Sequence, residues 1–365
     1  MSAAVGTGDG AGSLSNDIVL LFMPFPERPE WTDRIFKRYG LRVRWVNSIR
    51  EDKSVISAAE LGPEFDGVTL LCTYMPPPAE LIPKVRFVQL TSAGADKWLS
   101  HPKYQEKSTV FCTSNGVNSP QIAEWVIGAW LSHQHHFSRY HEHMKKGFWE
   151  SPFATHVQDS TSLRIGILGY GAIGRQCARL ANALGMEIFA YTRNERPTPE
   201  SRRDDSYCVP GTGDPDGLLP TKWFHGPARA AVNAFLREGL DLLVICLPLT
   251  AETRHVVGEE QLAILGATRR GFVANVGRGG HVDQEALVRA LEEGSIRGAA
   301  LDVADPEPLP ADHPLWRAPN LLITPHVSWR TDVLWDRLLD IIAINLGRLA
   351  GGKPLINVVN RELHY

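Results

Sequence analysis

The run Gly169-Tyr170-Gly171-Ala172-Ile173-Gly174 constrains this chain more than any other. It follows an apolar stretch, Leu163-Arg164-Ile165-Gly166-Ile167-Leu168. It opens a segment whose apolar residues Ile173, Cys177, Leu180, Ala181 and Leu184 recur at helical spacing. A strand, a glycine turn and a helix in that order build a dinucleotide site. The first glycine permits the tight turn, the second lets backbone approach a pyrophosphate, and the third lets helix pack on strand. The helix N-terminus, with Ala172 and Ile173 in its first turn, offers unpaired N–H groups and a positive dipole end. A lone GxGxxG says little; these flanks make it specific.

At 365 residues the chain is long enough for two domains. Its 43% hydrophobic and 22% charged residues are those of a globular protein. A net charge of −3 with no long basic run argues against a nucleic-acid or membrane surface. Five scattered cysteines without a CxxC pair read as reduced thiols of a cytoplasmic protein. Cys112 and Cys246 sit inside apolar runs and are expected in the core. Residues 1–16, rich in Gly, Ala and Ser and without an apolar core, are expected to form a flexible tail rather than a signal peptide. The longest apolar runs fall well short of the ~20 residues that span a bilayer.

Short apolar runs alternate with helical patterns along the whole chain. Strands are expected at Ile18–Phe22, Val43–Val46, Val68–Cys72, Phe87–Leu90 and Val110–Cys112. A second series is expected at 163–168, Glu187–Tyr191, Leu242–Cys246, Gly271–Asn275, Ala299–Val303 and Leu321–Thr324. Strands separated by helices imply parallel sheets covered on both faces. Ser119-Pro120 is read as a helix start, with Ser as the cap, and Thr331 to Leu349 as a last long helix. The fold class is therefore α/β, with two Rossmann-like or flavodoxin-like domains, parallel sheets and a cleft between them. Residues 17–118 plus 331–365 form the expected substrate-binding domain, and 119–330 the NAD(P)-binding domain. The segment Glu195 to Gly226 is rich in Pro, Gly, Asp and Arg and breaks the rhythm. It is read either as an ordered excursion near the nucleotide's adenosine end or as a mobile insertion.

A dinucleotide site also needs a residue at the end of the second strand to read the ribose. NAD sites carry Asp or Glu there. This chain has Tyr191-Thr192-Arg193-Asn194, and its first carboxylate after the strand is Glu195. An Asp would repel a 2′-phosphate, whereas Thr192 and Arg193 can donate to one. The expected cofactor is NADP(H), with NAD(H) also usable.

A second constellation lies further on. Arg278 follows a strand within Asn275-Val276-Gly277-Arg278-Gly279-Gly280, at the edge where open α/β sheets bind ligands. Glu307 sits in the stiff acidic loop Asp305–Pro310, and His326 ends Thr324-Pro325-His326. A guanidinium can bind a carboxylate or keto oxygen. A histidine beside a carboxylate can give a proton to a carbonyl oxygen while a hydride attacks its carbon.

These stretches, with Leu247-Pro248-Leu249-Thr250 and Leu301–Leu309, resemble the D-isomer-specific 2-hydroxyacid dehydrogenase family. They are closest to its glyoxylate/hydroxypyruvate reductase members and their fungal relatives. The resemblance covers nearly all of the chain from about Ile18. It implies that Arg278 binds the substrate's carboxylate and keto oxygen, that His326 is the acid/base, and that Glu307 assists it. It implies that Asp302 helps place the nicotinamide, and that Leu247, Pro248, Thr253 and Val276 contact the cofactor. It assigns Ala93 and Gly94, in the turn Thr91–Asp96, to the substrate carboxylate. The implied reaction is NADPH-preferring reduction of small 2-keto acids to D-2-hydroxy acids in a homodimer joined through the nucleotide domain. Trp149 or Phe153 would reach the partner's site.

Two departures stand out. Trp329 occupies a place where the family has small residues, and either walls the substrate pocket or packs against the last helix. The 195–226 segment is longer than usual. The five histidines between His133 and His143 are read as a polar helix face rather than a metal site. The alternative function is an NAD(H)-sensing corepressor-like binding protein on the same fold. The Thr192-Arg193 pair argues against it, because such proteins read NAD.

Overall fold

The computed structural model describes residues 12–50, 52, 54–267 and 271–363. The chain divides into two compact units, one made of the residues up to Val117 together with those from Asp332 on, the other Asn118–Thr331.

The first unit carries β1 (Ile18–Met23), β2 (Arg42–Asn47), β3 (Leu70–Thr73), β4 (Phe87–Leu90) and β5 (Val110–Cys112). They form one parallel sheet in the order β2-β1-β3-β4-β5. β1, β3 and β4 are buried along their whole length, which is why they read as largely apolar runs, with Gln89 the buried polar exception in β4. β2 lies at the edge and is only half-buried. The helix Pro29–Tyr39 ends at Gly40, whose left-handed φ of 67° lets its N–H bond Phe36 O. The last helix, Leu334–Ala350, is pinned to this sheet by a buried amide pair, Asn345 Nδ2 to Gln89 Oε1 at 2.9 Å. Of the expected tail, residues 1–11 lie outside the described residues. Residues 12–16 depart from it, because Leu14 is buried and its N–H bonds Tyr39 O at 2.8 Å.

The second unit carries β6 (Arg164–Leu168), β7 (Glu187–Thr192), β8 (Lys222–His225), β9 (Leu242–Ile245), β10 (Phe272–Asn275), β11 (Gly298–Leu301) and β12 (Leu321–Ile323). All pair in parallel, in the order β12-β11-β10-β9-β6-β7-β8. The chain runs outward from β6 to β8, then returns to β9 and runs the other way. Between β6 and β9 the connections therefore part to opposite faces, leaving a crevice at the strands' carboxyl ends.

Every strand expected from sequence is present, with ends shifted by no more than two residues. β8 was not expected. Its Lys222 and His225 are exposed at the sheet edge, so it lacks the apolar run that marks a central strand. The 195–226 segment is ordered. It contains the helix Pro199–Arg202, and buried groups knit it to the glycine-turn helix. Tyr170 Oη donates to Asp214 Oδ2 at 2.7 Å, and Gln176 Oε1 accepts from Gly213 N at 2.6 Å. Arg175, 5% exposed, donates to the carbonyls of Asp214 and Arg202 and pairs with Asp204 at 3.2 Å. A buried guanidinium is tolerated only with such partners. One cap differs from expectation: Ser119 is the first helical residue and Asn118 precedes it.

Candidate active site

The glycine turn leaves β6 at the switch point. Gly169 adopts φ +108°, and a Cβ there would lie 2.9 Å from Cys246 O. A Cβ on Gly174 would lie 2.3 Å from Gly169 O. Packing inside the protein thus demands both. Gly171 differs, since a Cβ there would meet nothing within 4 Å. Its bare backbone faces open space at the start of the helix Ala172–Ala183, a cradle that fits a pyrophosphate. Behind the turn, Cys246 Sγ donates to Gly169 O at 2.9 Å. Burial pushes this thiol up to about 12, so it acts as a neutral donor.

β7 and β9 flank β6, and residues following each meet beside the glycine turn. Arg193 forms a two-armed pair with Glu252, Nη1 to Oε2 at 2.7 Å and Nη2 to Oε1 at 3.4 Å. The expected cofactor contacts Thr192 and Thr253 use their hydroxyls within the protein. Thr192 donates to Asn194 O at 2.7 Å. Thr253 donates to Pro248 O and accepts from Thr250 N, both at 2.8 Å, which folds the Leu247–Arg254 loop into a turn. Val276 is buried, and its N–H bonds Ile245 O at 3.1 Å.

Arg278, Glu307 and His326 follow β10, β11 and β12, neighbouring strands of one sheet. His326 Nδ1 and Glu307 Oε2 are 2.9 Å apart, and Glu307 Oε1 accepts from Ala304 N at 3.1 Å. The carboxylate is thus aimed by the backbone on one side and the imidazole on the other. With Nδ1–H donating to Glu307, Nε2 is the nitrogen left for a substrate. Both side chains remain about 40% exposed, at 40% and 39%. A Cβ on Gly279 would lie 1.9 Å from Ala304 C, so only glycine lets the arginine loop pass the Glu307 loop.

His326 itself has φ 54°, a left-handed conformation uncommon for histidine. Asp302, 1% exposed, holds it there. Its Oδ1 accepts from Thr324 Oγ1 at 2.5 Å and Val327 N at 2.8 Å. Its Oδ2 accepts from Ser328 N at 3.0 Å and Ser328 Oγ at 2.5 Å. The expectation for Asp302 was a contact to the nicotinamide. Four donors of the histidine loop converge on the carboxylate.

Residues 127–210 and 222–328 match the family described as D-isomer specific 2-hydroxyacid dehydrogenase, NAD binding domain. The chain belongs to this family. A glyoxylate reductase of Thermofilum pendens is 30% identical over 77% of this chain and 76% of its own length. A glyoxylate/hydroxypyruvate reductase A of Arabidopsis thaliana is 29% identical over 76% of this chain and 79% of its own. Among solved structures, a family member from Xanthobacter autotrophicus Py2, in complex with NADPH and MES, superposes with TM-score 0.72 at 25% identity, covering 98% of this chain and 100% of that one. Nothing in these comparisons supports the narrower fungal affiliation. As a dehydrogenase of this family the protein uses a nicotinamide cofactor.

In this dehydrogenase Trp329 is partly buried. Its Nε1 donates to His326 O at 2.7 Å. Its ring packs against the cluster of Ile122, Val126 and Trp130. It braces the histidine loop from the other side. His281 was missed from sequence. It is fully buried, its Nδ1 accepts from Arg278 N at 3.0 Å, and its Nε2 faces Pro248 O at 3.2 Å. A buried histidine in a glycine-rich run was the available signal.

In the other unit, Ala93 and Gly94 follow β4. Ser92 Oγ donates to Gly94 O at 2.6 Å and closes the turn. Among the described residues nothing accepts from their two N–H groups, an arrangement suited to a carboxylate.

The histidine-rich segment forms two helices, Ser119–Gln134 and Phe137–Lys145, broken at His136 with φ 56°. Among the described residues no group of three or more His, Cys, Asp or Glu is arranged to hold a metal ion. Nor is any helix long and apolar enough to cross a membrane. Beyond them, Trp149 and Phe153 are each 93% exposed.

Proposed function

We propose that this enzyme is an NADPH-preferring reductase of small 2-keto acids of the glyoxylate and hydroxypyruvate type, giving D-2-hydroxy acids. The observation that carries the reading is the His326–Glu307 hydrogen bond of 2.9 Å, on a loop locked by Asp302, with Arg278 following a strand of the same sheet. The names of the relatives above support the substrate class. Arg193, with no acidic residue at position 192, supports NADPH. The glycine turn Gly169–Gly174 would hold the pyrophosphate of a reduced nicotinamide dinucleotide, which would supply the hydride for the carbonyl carbon.

The protein's own groups do the rest. Arg278 holds the substrate carboxylate and stabilises charge developing on the keto oxygen. His326 gives the proton from Nε2 to that oxygen. Glu307 keeps Nδ1 protonated and the ring fixed in direction. The N–H pair at Ala93–Gly94 is a second carboxylate-binding element. Two copies pair through the nucleotide-binding unit, covering Trp149 and Phe153.

The test is a panel of 2-keto acids scored by NADPH and NADH oxidation, run with wild type and His326→Ala. Wild type should turn over glyoxylate and hydroxypyruvate with NADPH. His326→Ala should lose turnover while NADPH affinity, read by fluorescence titration, stays within about threefold. Oxidation of neither cofactor by any keto acid would sink the reductase reading in favour of a binding protein. Undiminished turnover by His326→Ala would remove that residue from the chemistry.

A further inference from the structure

We propose that Glu252 is a specificity-determining residue of this site, setting how strongly the enzyme prefers NADPH over NADH. The inference rests on the reading of Arg193 as the 2′-phosphate ligand. Arg193 comes from the end of β7 and Glu252 from the turn after β9, on either side of the glycine strand β6. Their pair, at 2.7 and 3.4 Å, therefore closes over the place where the adenosine ribose enters.

The two residues act in opposite senses. A 2′-phosphate needs the guanidinium that Glu252 now holds, so Glu252 acts on it by competing for Arg193. A free 2′-hydroxyl meets no such conflict, because a carboxylate accepts from it. The acidic reader usual at the end of the second strand is absent here, and Glu252 supplies the same charge from the opposite side. Its position is fixed by the turn that Thr250 and Thr253 lock. Both partners are partly exposed, with side chains 36% and 49% accessible, so the arginine can exchange carboxylate for phosphate at modest cost. The structure thus assigns to one ion pair the balance between two cofactors.

The experiment compares binding of 2′,5′-ADP, 5′-AMP, NADPH and NADH by calorimetry to the full chain, in wild type, Glu252→Gln, Arg193→Gln and the double variant. Glu252→Gln should tighten 2′,5′-ADP and NADPH by about two- to tenfold and leave 5′-AMP within twofold. Arg193→Gln should weaken 2′,5′-ADP about tenfold or more. In the double variant the gain from Glu252→Gln should vanish, because it acts through Arg193. If Arg193→Gln weakens 2′,5′-ADP but Glu252→Gln changes nothing, this proposal fails and the NADPH reading stands. If Arg193→Gln does not move the ratio of 2′,5′-ADP to 5′-AMP, the NADPH reading itself fails at this residue. A gain that persists in the double variant also overturns the proposal.

Discussion

Replacing Asp302 by Asn tests whether the His326 loop is held by a buried carboxylate. The structure gives that carboxylate four donors: Thr324 Oγ1, Val327 N, Ser328 N and Ser328 Oγ. Asparagine keeps the shape. Its carbonyl oxygen can keep Thr324 and Val327, and the Ser328 hydroxyl can rotate to accept from the new amide. The Ser328 N–H cannot, and it meets an N–H head on. Leaving that buried donor unmet costs about 1–3 kcal/mol. Turning the two remaining charge-assisted bonds into neutral ones costs about 1 kcal/mol each. The sum is about 4 kcal/mol, a large share of a domain's stability. The loop should loosen, and a 1 Å misplacement of a reacting group costs about 100-fold in rate. Denaturant titration should show the lost stability. Steady-state assay should show turnover down by about two orders of magnitude, with NADPH affinity within about threefold. Where Asp302→Asn folds too poorly to assay, Ser328→Ala removes only the hydroxyl bond and should cost about 1–2 kcal/mol. The reasoning is refuted if Asp302→Asn keeps its stability and turnover but loses NADPH affinity tenfold. That pattern belongs to a carboxylate directed at the nicotinamide.

Two further outcomes are expected. His133 packs on Phe272 beside Arg297, and burial, reinforced by that charge, lowers its pKa from 6.5 to about 4. Above 6.5 neither state is protonated and no penalty exists. As pH falls toward 4 the unfolded chain takes up a proton that the folded one refuses, so stability is lost across that window by on the order of 2–3 kcal/mol. Replacing His133 by Gln should flatten this part of a pH series of denaturant midpoints, and an unchanged slope would contradict it. For the proposed subunit contact, Trp149→Glu with Phe153→Glu should yield monomers in light scattering, since covering each ring is worth about 1.5–3 kcal/mol. A variant that stays dimeric would place the interface elsewhere.

Much of this protein was legible in its residues because parallel α/β folds announce themselves locally. Central strands buried on both faces must be largely apolar, and β1, β3, β4, β9, β10 and β11 could be read in this way. The exposed edge strand β8 carried no such mark and went unread. The glycines were legible for a related reason: Gly169 and Gly174 occupy positions where a Cβ would strike backbone oxygen. Arg278, Glu307 and His326 stood at strand ends, and the sheet order brought them to one edge.

Other assignments turned on contacts between residues far apart in sequence. The partners of Asp302 lie 22 to 26 residues away. Those of Tyr170 and Arg175 lie across the 195–226 segment, which composition alone left open between ordered and mobile. Glu252 is 59 residues from Arg193, and no periodicity links them. The sequence by itself determined most of the strands, the glycine turn and which groups are candidates for the chemistry, since apolarity, backbone freedom and chemical type are properties of single residues. Only the tertiary structure decided which carboxylate steadies the histidine loop, which aims the imidazole and which opposes the arginine. A hydrogen bond or ion pair depends on where a partner's atoms lie, and that is set by how distant strands are ordered in the sheet.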